Sequence, residues 1–99
     1  MKKSYKLSSK LWLWDGKGAW HFITVPKERA EDISYYFDML KAGWGSIKVT
    51  ATIGKTTWQT SIFPDKKSQG YLLPVKAAVR KKENIKEGDT IELELIIKN

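Results

Sequence analysis

Along residues 4–14, Tyr5, Leu7, Leu11 and Leu13 share one parity, and Lys6, Ser8, Lys10, Trp12 and Trp14 share the other. Period two over this length predicts a long strand. Asp15-Gly16-Lys17-Gly18 is a turn signal, because glycine reaches positive φ without steric penalty. Residues 19–25 form the predicted return strand, and Pro26 ends it because proline has no ladder donor. The period then changes. Ala30, Ile33, Phe37 and Leu40 recur at spacings of three and four, which predicts a helix over 27–40 with one apolar face. Glu28, Glu31 and Asp32 lie early in it, where the helix dipole favours acids. Gly43-Trp44-Gly45 is expected to stop it.

A second hairpin is predicted from Ile47, Val49, Ala51 and Ile53, a turn at Gly54-Lys55, and a return over Thr56 to Phe63. Residues 64–70 read as a polar loop and Tyr71 to Leu73 as a short strand. Val75 to Lys82 reads as a short helix with Pro74 at its start. After a turn at 86–89, Ile91, Leu93, Leu95 and Ile97 mark the last strand. The fold class expected is mainly β with two short helices: a small barrel of antiparallel hairpins, in one domain over 1–99.

Composition narrows the chemistry. The chain has 99 residues, 41% of them apolar, and no cysteine, so disulfides and thiolate chemistry are excluded. The one histidine rules out a multi-histidine metal cluster within one chain, and neither a metal nor a cofactor is expected. No apolar run is long enough to span a bilayer, and mixed polar residues follow the basic Met1-Lys2-Lys3 start where a signal core would be apolar. A cytoplasmic protein without membrane attachment is the expectation.

The 18 Lys and Arg against 11 Asp and Glu give a net charge of +7. That charge is uneven. Residues 1–10 sum to +4, 27–38 to −2, 66–86 to +6 and 87–99 to −3. Spacing of four places Lys76 and Arg80 on one face of the second helix, with Lys81 and Lys82 beside them. If that face meets the Thr60-Ser61 strand end, cations and a hydroxyl converge on an anion. The competing expectation is that Lys76 and Arg80 pair with acids of the first helix or last strand. All the bases but Arg29 and Arg80 are lysine, which suits a solvated surface as well as a phosphate-binding one. Trp20, Trp58 and Tyr71 are the candidate aromatic pocket. Trp12 and Trp14 oppose the leucine parity of their strand, which covers both its faces or leaves an aromatic face for binding. His21 is a candidate general base or a packed strand residue. No carboxylate pair is singled out for hydrolysis.

Three stretches form a combined pattern: Trp20-x-Phe22-x-x-Val25-Pro26; Gly45-x-Ile47-x-Val49-x-x-Thr52-Ile53-Gly54 followed by Trp58-x-Thr60-Ser61-Ile62-Phe63-Pro64; and Tyr71-x-Leu73-Pro74-Val75-Lys76-x-x-Val79-Arg80 with Gly88-Asp89. In these stretches the chain resembles a bacterial family, the domain-of-unknown-function family numbered 1905. The resemblance implies a double-split β-barrel, similar in architecture to swapped-barrel transition-state regulators and antitoxins, and no established activity. Some relatives carry an appended segment associated with bacteriocin protection. This chain ends at Asn99 without it, and that association is not expected to carry over. Lys55 stands where a second glycine is common, which predicts a less permissive turn.

The function expected is a non-enzymatic binding domain for nucleic acid or another polyanion, with Lys76, Arg80, Lys81, Lys82 and Ser61 as the anion-binding candidates. The alternatives are a small-molecule-binding or enzymatic domain with an aromatic pocket, or a module that forms a homodimer.

Overall fold

The computed structural model describes residues 2–39 and 45–98. In chain order the elements are β1 (Lys2–Leu13), β2 (His21–Val25), α1 (Lys27–Met39), β3 (Ile47–Ile53), β4 (Thr56–Asp65), β5 (Gly70–Pro74), α2 (Ala77–Glu83) and β6 (Thr90–Lys98). All strand pairings are antiparallel, and the sheet closes in the order β1-β2-β5-β4-β3-β6.

Two long strands make the closure. β1 pairs with β6 from Lys2↔Lys98 to Lys10↔Thr90, then with β2 from Leu11↔Ile23 to Leu13↔His21. β4 pairs with β3 from Thr56 to Ile62, then with β5 from Phe63↔Leu72 to Asp65↔Gly70. Each therefore leaves one sheet and joins the other, which is what splits the barrel. The chain is the double-split barrel that the resemblance implied.

Alternation fills the interior as expected. Tyr5, Leu11, Ile23, Val25, Ile47, Val49, Ala51, Ile53, Ile62, Leu73, Ile91, Leu93, Leu95 and Ile97 are buried in one cluster. From α1, Ala30 and Ile33 join it, and from α2, Val79. A cluster of this composition supplies the main favourable term, because each fully buried aliphatic side chain contributes about 1.5–3 kcal/mol. Pro26 ends β2, and its carbonyl accepts the Ala30 amide at 2.9 Å, opening α1.

Several local expectations differ. The return strand starts at His21, leaving Ala19 and Trp20 outside it. Ala19 takes the left-handed conformation, φ 53°, directly after Gly18 at 97°. Pro64 and Asp65 belong to β4, and the turn is confined to 66–69. Pro64 is tolerated there because β4 has already left β3, so on that side there is no ladder to need its missing N–H. Pro74 closes β5 opposite Phe22 and does not open the helix, which starts at Ala77. Leu40, Gly43 and Trp44, and the side chain of Phe37, lie outside the described residues.

Gly54 has φ 57° in the two-residue β3–β4 loop, whereas Lys55 has negative φ. Positive φ at the first central position alone is the type II′ pattern, so a lysine at the second position fits without strain. The expected loss of permissiveness at Lys55 therefore has no consequence for this turn.

Candidate functional site

The site is built by the chain leaving β5. The Val75 amide donates to the His21 carbonyl at 2.9 Å, tying this segment to β2. Lys76 is extended, with φ −69° and ψ 160°, and caps α2. Helix α2 ends on Asn84, φ 53°, and the Ile85 amide closes back to the Arg80 carbonyl at 3.0 Å, a Schellman closure. Arg80, Lys81 and Lys82 fill the last turn, where the dipole favours cations.

The Arg80 side chain is held at two of its nitrogens. Its Nε donates to the Val75 carbonyl at 3.1 Å, and its Nη1 lies 3.4 Å from His21 Nε2. His21 Nδ1 lies 2.9 Å from the Ala19 carbonyl, which can only accept. Nδ1 therefore carries the imidazole proton and Nε2 accepts from Arg80. The left-handed Ala19 is what brings its carbonyl round to His21. Among the described residues neither Arg80 nor Lys76 pairs with a carboxylate of α1 or of β6.

In front of this guanidinium lies an open groove of about 870 Å³. One wall is Trp20 and His21 with Lys76, Ala77 and Arg80; the other is the β3–β4 hairpin, with Lys48, Gln59, Thr60, Ser61 and Phe63. Its size falls within the range of small-ligand sites. Among the described residues, three cations line it and no Asp or Glu does. Trp20 is 52% exposed and Phe63 44%, so two large apolar side chains face this space.

A family model described as Domain of unknown function (DUF1905) matches residues 8–95. The chain belongs to this family. No curated protein matches the sequence. The DUF1905 match spans every groove residue except Ile96 at its edge.

The fold of this DUF1905 domain joins two candidate sets that are separate in sequence. Ser61, Lys76 and Arg80 share the groove with Trp20 and Trp58. Tyr71 does not join them: it is buried and lines a second depression, of about 480 Å³, with Ala30, Tyr35 and Lys66. Lys81 and Lys82 are exposed on α2 outside the groove lining. The basic 66–86 segment is divided. Lys66 and Lys67 occupy the β4–β5 turn, and the five residues of β5 separate them from Lys76, roughly 17 Å of strand.

Lys48, His21 and Phe63 complete the groove beyond the anion-binding and aromatic candidates. Lys48 could have been found from the sequence. A two-residue loop at Gly54-Lys55 fixes the register Ile53↔Thr56, and counting outward puts Lys48 opposite Ser61, as observed. His21 carried no sequence signal for this role, because its partners Val75 and Arg80 follow the neighbouring strand β5, more than fifty residues away in the chain.

Among the described residues no group of His, Asp or Glu side chains is placed to hold a metal ion. No described helix is long and apolar enough to cross a membrane.

Proposed function

We propose that this DUF1905 domain is a non-enzymatic, cytoplasmic binding module for an anion that also presents a flat ring, the chemistry of a nucleotide, free or within a strand. The carrying observation is the Arg80 guanidinium, fixed by Val75 and His21 in a groove that also holds Lys48 and Lys76 and is lined by no described carboxylate. An arginine anchored through Nε and one Nη1 proton keeps its remaining N–H donors for phosphate oxygens. Ser61 and Thr60 add hydroxyls, and Trp20 offers a ring face for stacking.

An enzymatic role has less support. His21 is the groove's general-base candidate, and both its nitrogens are engaged, by Ala19 and by Arg80. It acts here as a positioning residue for the guanidinium.

The test is tryptophan fluorescence titrated at low salt with thymidine monophosphate and with a twelve-residue oligothymidylate. Quenching that weakens as salt rises, and that is lost in Arg80→Ala, is the expected result. No binding of either probe at low salt overturns the proposal.

A further inference from the structure

We infer that the ligand is a single-stranded nucleic-acid segment running out of the groove across the outer face of β1 and β2; this rests on the anion-binding reading above. Trp20, at the groove rim, stacks on Phe22 with ring centroids 6.0 Å apart and planes 8° from parallel. Phe22 meets Trp12 at 5.3 Å and 42°. The three rings form one continuous aromatic path that starts inside the cation-lined space and leads away from it. Register puts Trp12, Phe22 and Pro74 in one row on the outside of the sheet. None of the three is fully buried. Trp12 is fixed there by its Nε1, which donates to Thr24 Oγ1 at 2.9 Å.

The occupant follows from what the path connects. A free nucleotide needs one ring face beside the phosphate site, and Trp20 supplies it. Phe22 and Trp12 have no use in that complex. A strand presents further bases at successive positions, and stacking platforms accept any base because each has a π-face. Lys10, exposed and two residues from Trp12 on the same side of β1, adds a cation along the exit. A purely apolar partner would leave Lys48, Lys76 and Arg80 without counter-charge at the start of the same path.

The test compares thymidine monophosphate with oligothymidylate of twelve residues on the full chain and on Trp12→Leu. The expected result is an oligonucleotide bound at least tenfold tighter than the mononucleotide. In Trp12→Leu the oligonucleotide should lose about fivefold or more, while mononucleotide affinity stays unchanged. Lys10→Ala, at an exposed position along the exit, serves the same purpose should Trp12→Leu fail to fold. Equal affinity for the two probes overturns this inference and leaves the groove reading standing, as does an oligonucleotide indifferent to both substitutions. No binding of either probe overturns both. A homodimer in sedimentation that is lost in Trp20→Ala assigns the aromatic path to a second copy and also overturns the strand.

Discussion

Thr56 Oγ1 donates to Glu83 Oε2 at 2.6 Å, and the Lys55 amide donates to the same oxygen at 3.3 Å. The last residue of α2 thus grips the turn between β3 and β4. A carboxylate at a helix C-terminus is unfavourable with the dipole, so its position is explained by the hairpin and not by the helix. Helix α2 carries Arg80, so the clamp also sets one groove wall against the other.

Glu83→Ala should therefore destabilise the domain by about 1.5–3 kcal/mol, the range for hydrogen bonds to a charged acceptor. Glu83→Gln should recover part of this, since the amide oxygen still accepts. Urea unfolding of the three proteins measures the order.

Gly54→Ala should be more damaging than Lys55→Gly. At Gly54 a β-carbon meets the Glu83 carboxylate, and φ 57° is itself unfavourable for alanine. The left-handed conformation alone costs about 1–2 kcal/mol. Lys55 has negative φ, so glycine there adds only backbone entropy, up to about 1 kcal/mol. Thermal melts of both variants test the ranking.

At Gly70, the start of β5, a β-carbon would run into the Val25 carbonyl oxygen. That neighbour is backbone in a paired strand and has no rotamer by which to retreat. Gly70→Ala should lose about 1–3 kcal/mol by overpacking despite the small change in volume. Ala19→Gly should act the other way, since it relieves the left-handed φ of 53° and raises stability by about 1 kcal/mol. The same thermal melts read both.

Basic residues should separate into two classes by salt dependence. Removing Lys48 or Lys76 should flatten the slope of log affinity against log salt by about 0.7 for each phosphate no longer neutralised. Lys66→Ala and Lys67→Ala, in the β4–β5 turn beyond the groove, should leave it unchanged. Titrations at several salt concentrations make the comparison, and a uniform effect from all these lysines would point to a diffuse basic surface.

The strands were legible because one face of each is buried and a period of two has no other use for Ile47, Val49, Ala51 and Ile53. The two-residue loop at Gly54-Lys55 even carried the register. The limits of β4 and β5 were not legible. Pro64 and Pro74 read as breakers, and what permits them is the absence of a ladder partner on one side, a property of the closed topology and not of the local sequence. The site was half legible for a related reason. Helical spacing placed Lys76 and Arg80 together, but charge alone could not say what they face. Their company is decided by the switch of β4 between sheets, which turns Ser61 and Phe63 toward the helix that follows β5. Tyr71 failed as a groove residue because it shares its parity with Leu73, which faces the core.

That same switching has a mechanical consequence. β1 and β4 each contribute to both sheets, so neither half of the barrel can open while the other stays intact. The deepest amides of the two sheets should therefore exchange through one shared global opening, while turns and strand ends open locally. Occupancy of the groove would then be felt at every strand. A ligand at about a hundred times its dissociation constant adds about 2.7 kcal/mol to the whole domain, and the deepest amides of β6, remote in sequence from Arg80, would slow their exchange as much as those beside it.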